Sequence, residues 1–374
     1  MIVAEENISI ITDDMIQSIR ERLQKNRDLA LKQQEEQKPK NFRLDNFEFI
    51  NVHVSELGIF LDSPFFGEIG YSDQLTNAGA LSIGKAEFEL ELKNTMIEET
   101  SPVAKVGMKD AQGMRESMED ASLFDRGSFK INNVEYPFTI LGVFDGHGGA
   151  EGSVFVKNEI LRELERKFTQ YNSTTISEYG LFHAFKQSFI EIDKRYKTPD
   201  GTTATIAVIF HGSHFPLKEQ IWIANVGDSR IVLIDKDYNA RQATEDAKPE
   251  MARYKKTINK LGGYVSGRVV SRVNGRLAVA RAIGDHSIKG WTGECCVSPK
   301  PKITSYSLED FKKGYIVLAC DGLYDVASTN EIGKAIRQLS FQKASIAKMS
   351  EELVKGALYS GTSDNVSVVV AHFN

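Results

Sequence analysis

The chain has 374 residues, of which 41% are hydrophobic and 26% charged, and its formal net charge is -5. This length suits one large domain with an extension, or two domains. The negative charge argues against a general nucleic-acid binder, which needs clustered Lys and Arg. No apolar run reaches membrane-spanning length and the first residues lack a signal-peptide pattern, so we expect a cytoplasmic protein, with a nuclear location left open. The three cysteines form no Cys-x-x-Cys pair, which predicts reduced thiols.

The first hundred residues differ from the rest. Residues 1–40 carry a weak helical stripe that ends in a polar run before Pro39, which predicts a helical or disordered extension. Residues 41–101 alternate like strands but are too few for a core of their own, so we expect a β-rich accessory segment packed on the main domain. Strand patterns dominate the main domain, residues 102–374. The clearest are 139–144, 203–210, 221–226, 230–234, 315–320 and 366–371.

Helical periodicity appears at three places in the main domain. Residues 151–168 and 178–196 are joined by a short polar loop, so these helices should be antiparallel neighbours, and a last helix is expected near 346–358. The pattern of residues 270–279 is typical of a hairpin around Asn274-Gly275, and we interpret this dipeptide as a plain turn. Since most strands are apolar on both faces, the pattern predicts an α+β fold built on a two-sheet sandwich flanked by helices.

Five short carboxylate-bearing stretches are spread over about 250 residues. They are 115–120, 145–149, 227–229, 321–325 and 363–365, and all but the first directly follow or precede a β run. Strand ends from distant parts of a chain can meet at one sheet edge, where unpaired carboxylates repel each other unless a hard divalent cation neutralises them. The sequence therefore predicts one acidic cleft that binds Mg²⁺ or Mn²⁺ and uses water.

Each stretch taken alone has a simpler interpretation. Asp-Gly is a common turn dipeptide, and for Asp200 we keep that interpretation. Asp228 is as well explained by a turn with a local ion pair as by metal binding, and Asp285 is interpreted as structural. Asp145 and Asp321 differ because each ends an apolar run, which aims its carboxylate at a sheet edge.

From residue 103 to 374 the chain resembles the metal-dependent protein serine/threonine phosphatases, also called protein phosphatase 2C. Seven of the family's motifs occur in order, at 115–120, 143–149, 201–204, 225–230, 277–285, 319–325 and 363–367. The resemblance implies a four-layer αββα fold, in which pairs of helices flank two packed antiparallel sheets. It also implies hydrolysis of phosphoserine and phosphothreonine in proteins by a metal-bridging water, without a covalent phosphoenzyme, and hence phosphoprotein substrates as partners.

The resemblance further implies a site with two Mn²⁺ or Mg²⁺ ions in its core. Asp145 would bridge the two ions and would count among the catalytic residues. Asp321 and Asp364 would be ligands of one ion, and the carbonyl of Gly146 would be a ligand of the other. The bridging water would then be the nucleophile, because two cations lower its pKa.

The resemblance also implies roles around this core. Glu119 would hold metal directly or through water, with Asp120 beside it as a supporting carboxylate. Asp228 would help to hold a weaker third ion. Arg115 would bind the substrate phosphate, to which its planar fork of donors is suited. His147 would protonate the leaving alkoxide, which needs a group that titrates near neutral pH.

Two other functions stay open. A pseudophosphatase that binds partners through the same fold would be favoured if a metal aspartate or Arg115 were missing, and none is. Another metal-dependent phosphoryl enzyme, such as a nuclease, is disfavoured by the negative charge. The chain departs from the family at Ala247, where many members carry His. That position lies outside the expected metal ligands, so we expect an effect on substrate choice or on the nearby flap segment.

Overall fold

The structure, a computed structural model, describes residues 103–131, 134–171, 177–211, 219–268, 270–289 and 296–374, and the backbone of three short strands before them. The predicted extension over 1–40 and most of the predicted accessory segment over 41–101 lie outside the described residues. Two of the early strands pair with each other, and the third, Ile97–Glu98, pairs with the first strand of the main domain. None of the described helices is long and apolar enough to span a membrane.

The described elements follow one another along the chain as strands and helices. The strands are β1 His53–Ser55, β2 Gly58–Phe60, β3 Ile97–Glu98, β4 Val103–Ala111, β5 Ala121–Ile131, β6 Val134–Phe144, β7 Gly146–His147, β8 Gly201–Thr202, β9 Ala204–Phe210, β10 Gln220–Val226, β11 Arg230–Ile234, β12 Ala240–Gln242, β13 Val265–Ser266, β14 Arg272–Val273, β15 Ile283–Gly284, β16 Lys302–Ser307, β17 Tyr315–Ala319 and β18 Val366–Phe373. The helices are α1 Glu151–Tyr171, α2 Glu178–Arg195, α3 Ala252–Lys260, α4 His286–Lys289, α5 Asp321–Tyr324, α6 Thr329–Phe341 and α7 Ile346–Tyr359, with a 3₁₀ turn at Leu308–Phe311.

Two large antiparallel sheets form the centre of the domain. One has five strands in the order β16-β10-β9-β6-β5, and the other has six in the order β12-β11-β17-β18-β4-β3. Every residue of β9 and β17 is buried, because both faces of each sheet are covered. This explains why their sequences are apolar throughout instead of alternating.

Three buried clusters separate four layers. The first lies between the five-stranded sheet and the pair α1 and α2, where Phe168 stacks on Phe129 with ring centroids 4.1 Å apart. The second lies between the six-stranded sheet and the pair α6 and α7, and it includes Ile336 and Leu353. The third lies between the sheets. Each fully buried Phe or Leu contributes about 1.5–3 kcal/mol. The predicted α+β sandwich with flanking helix pairs is therefore confirmed.

The predicted strands and helices lie at their predicted places with small changes at the ends, but several features differ from the predictions. Asn274 and Gly275 do form a tight turn with positive φ. This is the predicted turn: it closes a single bridge between Val273 and Leu277, and β14 pairs with β13. The stretch 115–120, expected to stand apart from a strand, leads directly into β5. The longer elements additional to the predicted ones are β4, β5, β16, α3 and α6, and several strands and helices of two to four residues are additional as well.

Strand register places the carboxylate-bearing ends together. Ala121 pairs with Phe144, so the residues just outside this pair, Asp120 and Asp145, are neighbours at one sheet edge. In the other sheet Arg230 pairs with Ala319, which brings the turn before β11 beside the end of β17. The two sheets therefore present their acidic ends to the same region.

Candidate metal centre

Four aspartates converge where the strands end. Asp145, Asp228 and Asp321 each offer a carboxylate oxygen, and these oxygens lie within 4.8 Å of one another. Asp145 also belongs to a second group within the same limit, with Asp120 and the buried thiol of Cys320. Asp145 thus lies at the centre of an acidic cluster, which contains three of the expected metal ligands, Asp145, Asp228 and Asp321, and the expected supporting carboxylate, Asp120.

Backbone hydrogen bonds hold Asp145 in place after β6. Its N–H donates to the hydroxyl of Thr203 at 3.0 Å. Its carbonyl accepts from the backbone N–H of Thr203 at 2.8 Å and from the hydroxyl of Thr202 at 3.0 Å. Because these bonds involve only the main chain of Asp145, its carboxylate remains available to a ligand.

The charges of the cluster are mutually unfavourable. Burial, and then the proximity of Asp321, raise the pKa of Asp145 well above its usual range. Burial and the proximity of Asp228 do the same to the pKa of Asp321, and burial raises the pKa of Asp120 to about 7. Buried Oδ2 of Asp120 and Oδ1 of Asp228 have no hydrogen-bond partner among the described residues. Buried carboxylate oxygens that repel one another and lack hydrogen-bond donors are suitable ligands for a divalent cation.

A lysine that the sequence did not single out enters the cluster. The Nζ atom of Lys248 lies 2.6 Å from Oδ2 of Asp228, 3.8 Å from Oδ2 of Asp321 and 3.9 Å from Oδ1 of Asp325. Burial lowers the pKa of Lys248, but the nearby aspartates outweigh it and the net shift is upward. Asp228 thus lies in the turn between β10 and β11 and forms an ion pair, as the turn interpretation expected. The partner is not a neighbour in the turn but Lys248, 20 residues further along the chain.

Arg115 and Glu119 are positioned by the loop before β5. Nη2 of Arg115 donates to Oδ2 of Asp364 at 2.7 Å, and the arginine side chain is 54% exposed. Asn365 clamps this loop, accepting from the backbone N–H of Glu119 at 2.8 Å and donating to the carbonyl of Ser117 at 3.0 Å. The Glu119 carboxylate accepts from the hydroxyl of Ser117 at 3.0 Å. An exposed guanidinium is thus held at the rim of the acidic cluster.

Gly146 and His147 form the short strand after Asp145. A Cβ atom on Gly146 would lie 2.2 Å from the carbonyl oxygen of Glu119, so only glycine fits there. Nε2 of His147 lies 2.8 Å from Oδ2 of Asp285, whose side chain is 6% exposed. Asp285, interpreted from the sequence as structural, is therefore the direct partner of His147. Gly201 leaves the room for this pair, since a Cβ there would lie 2.2 Å from Asp285 Oδ2.

Two further buried carboxylates support the site, and the sequence suggested neither role. Asp200, interpreted as part of a simple turn, is buried and accepts from the backbone N–H of Gly152 in the first turn of α1 at 2.8 Å and from the hydroxyl of Tyr196. Asp193 of α2 pairs with Lys289 and accepts from the N–H of Gly284 at 2.9 Å. Together they fix the segments on either side of the His147–Asp285 pair.

Comparisons with known proteins agree with this architecture. The family model described as Protein phosphatase 2C matches residues 104–366. Protein phosphatase 1L of Bos taurus is 31% identical over 319 residues, covering 82% of this chain and 80% of that protein. Probable protein phosphatase 2C 27 of Arabidopsis thaliana is 32% identical over 286 residues, covering 73% and 70%. A crystal structure of a phosphatase from Toxoplasma gondii shares the fold, with a TM-score of 0.63 at 21% identity, over 75% of this chain and 95% of that one.

A four-layer sandwich with an acidic cluster at one edge, together with these matches, defines a protein phosphatase, a class of hydrolase. The chain belongs to the protein phosphatase 2C family, which is metal-dependent.

Proposed function

We propose that this chain hydrolyses phosphoserine and phosphothreonine in proteins, with Mn²⁺ or Mg²⁺ bound in the acidic cluster. The observation that carries the proposal is the convergence of Asp145, Asp228 and Asp321 within 4.8 Å, with the exposed guanidinium of Arg115 paired to Asp364, another expected metal ligand. Such a site combines carboxylate oxygens for a hard cation with a planar donor fork for a phosphate. A pseudophosphatase role is not favoured, because none of these residues is missing.

The residues that would hold the core ions are Asp145, Asp321 and Asp364 through their carboxylates, Gly146 through its carbonyl, and Glu119 directly or through water. When bound, the cations supply a water of lowered pKa as the nucleophile. Asp120 would support this shell through its buried carboxyl, and Asp228 would serve a weaker third ion in competition with Lys248.

The remaining chemistry belongs to the side chains at the rim. Arg115, which pairs with Asp364 in the structure, would turn its other N–H groups to the phosphate oxygens and orient the ester for attack. His147 would deliver a proton to the departing serine or threonine oxygen. Asp285 would hold the imidazole in place for that transfer, since the two side chains are in contact at 2.8 Å.

The test is hydrolysis of a phosphothreonine peptide with Mn²⁺, with Mg²⁺ and with excess EDTA. We expect turnover with either cation and none with the chelator. Asp145→Asn and Asp321→Asn should each abolish metal-dependent turnover while the protein stays folded, as judged by circular dichroism. Full activity in excess EDTA would contradict the proposal.

A second experiment separates proton transfer from metal binding. His147→Gln should still bind Mn²⁺ but lose on the order of 10² to 10⁴ in turnover with alkyl phosphoesters. The loss should be smaller with p-nitrophenyl phosphate, because its phenolate leaves without needing a proton. Equal losses with both substrates would remove His147 from this role.

Two proposals extend beyond the site. We propose that the protein is cytoplasmic, and a nuclear location is the alternative. Imaging of the tagged full chain in cells distinguishes the two locations. We also propose that residues 41–101 pack on the phosphatase domain as an accessory segment, whereas residues 1–40 are dispensable extension. The backbone pairing of β3 with β4 supports the first part.

A further inference from the structure

A second cleft, of about 460 Å³, lies between α2, α3 and the chain that leads into β16. Apolar side chains such as Phe182 and Ile258 line part of it, and its charged lining groups are Arg253, Arg281 and Lys302. None of the described lining residues carries a carboxylate, and none belongs to the aspartate cluster. A concave, partly apolar site of this volume with a few convergent polar groups has the properties of a binding pocket.

The cations of this cleft outnumber the acids around them. Arg253 contacts the Glu245 carboxylate, and Lys302 Nζ lies 2.9 Å from its other oxygen. The guanidinium groups of Arg253 and Arg281 lie 4.4 and 5.5 Å from the same Tyr254 ring. The cleft has three cationic side chains, and one carboxylate contacts them, which leaves a net charge of +2. This positive charge favours the binding of an anion.

Arg281 is the group with donors still available. One of its terminal nitrogens donates to the carbonyl of Lys300, whereas its buried Nε has no hydrogen-bond partner in the part of the chain that the structure describes. A buried charged donor without an acceptor is unfavourable. A guanidinium fork matches a carboxylate or phosphate, so an anionic group in the cleft would satisfy it.

The cleft is joined to the phosphatase site by short pieces of chain. Arg281 lies four residues before Asp285, the partner of His147, and four residues span at most about 14 Å. The backbone N–H of Ala280, in the cleft wall, donates at 2.7 Å to the carbonyl of Ala247, the residue before Lys248. An extended peptide rises about 3.3 Å per residue, so three to five residues cover a distance of the same order as the upper limit of about 14 Å.

We propose that this cleft binds an acidic side chain of the phosphoprotein substrate, about three to five residues from the phosphorylated serine or threonine. The proposal rests on the proposed function and adds a specificity for acidic sequence context. Arg281 provides the fork for the acidic group, and Arg253 and Lys302 provide the surrounding positive potential.

The test compares paired phosphothreonine peptides that carry either Glu or Gln at three to five residues from the phosphothreonine, on each side in turn. For the wild type, kcat/KM should favour a Glu peptide by about tenfold, and the preference should shrink at high salt. Removing two cations with Arg253→Gln/Lys302→Gln should bring the preference close to one. Glu245→Gln, which raises the net charge of the cleft, should enlarge it.

The matched control is Lys256→Gln, which removes a positive charge from an exposed position of the same helix, α3, outside the cleft. Its preference should equal that of the wild type. Arg253 and Lys302 are suitable for substitution because their side chains are 47% and 43% exposed, so glutamine is tolerated there. The same Glu-to-Gln ratio in all four proteins, or a wild-type ratio of one, would overturn the proposal.

Failure of the phosphatase function is distinguishable from failure of the cleft. If no peptide is hydrolysed with Mn²⁺, the proposed function is wrong. The cleft is then tested separately, by measuring the binding of fluorescently labelled versions of the Glu and Gln peptides by anisotropy in EDTA. Tighter binding of the Glu peptide by the wild type, lost in Arg253→Gln/Lys302→Gln, supports the cleft. Equal binding of both peptides overturns it.

Discussion

Replacing Asp285 by Asn isolates the contribution of the carboxylate that contacts His147. The substitution keeps the shape of the side chain but removes its charge from a position that is 4% exposed. Hydrogen bonds to charged groups contribute about 1.5–3 kcal/mol. If that stabilisation is expressed in the transition state, turnover of an alkyl phosphoester falls by about 10- to 150-fold.

The assay is steady-state kinetics with a phosphothreonine peptide and with p-nitrophenyl phosphate, at saturating Mn²⁺. Because only the alkoxide needs a proton, we expect the loss with the peptide and less than about a threefold change with the aryl ester. Gly201→Ala should have a similar signature, since its Cβ would lie 2.2 Å from Asp285 Oδ2 and 2.6 Å from His147 Nε2. Titration with Mn²⁺ should show unchanged affinity for Asp285→Asn.

Asp310→Asn makes the same chemical change at an exposed position and should behave as the wild type with both substrates. The reasoning is refuted if Asp285→Asn slows both substrates equally. It is also refuted if the loss of turnover follows a loss of Mn²⁺ binding, because Asp285 would then act on the metal site and not through His147.

Three other predictions concern stability. Lys289→Met leaves the Asp193 carboxylate buried without its ammonium partner and should lower the free energy of unfolding by about 3–5 kcal/mol, measured in urea. In EDTA, folding raises the pKa of Asp120 from 3.8 to about 7, chiefly by burial. Below pH 3.8 the carboxyl is protonated in both the folded and the unfolded chain. As the pH rises from 3.8 to about 7, only the unfolded chain loses the proton, so the free energy of unfolding of the wild type should fall relative to that of Asp120→Asn by at most about 4 kcal/mol. A chain beginning at Asn41 should keep its melting temperature and activity, whereas one beginning at Pro102 should melt lower, because it lacks the strand paired with β4.

Each of these measurements has a control or an opposing outcome. Lys236→Met removes a lysine from an exposed pair and should change stability by less than about 0.5 kcal/mol, so an equal effect of Lys289→Met would refute the buried-pair argument. A pH-independent difference between wild type and Asp120→Asn would show that this carboxyl does not retain a proton in the metal-free fold. An unchanged melt for the chain beginning at Pro102 would show that residues 41–101 are loosely tethered.

Helix α6 has a local start signal in the sequence, although it is not among the predicted helices. It begins with a capping box, in which the Ser328 hydroxyl accepts from the N–H of Glu331 and the glutamate reaches back to the serine N–H. That Ser-x-x-Glu signal is local and readable. Helix α3 was harder to predict, because only Tyr254 and Ile258 of its nine residues are buried.

The sequence alone determined the sandwich and the positions of its acidic strand ends. Apolar runs such as those before Asp145 and Asp321 are local patterns, and a strand that is buried on both faces leaves the same pattern wherever it lies in the fold. The partners of the site residues were decided only by the tertiary structure. His147 and Asp285 are 138 residues apart, and Lys248 reaches the aspartates through the packing of a separate segment. Such contacts depend on strand register and on the crossing of distant chain segments, which no periodicity within one segment encodes.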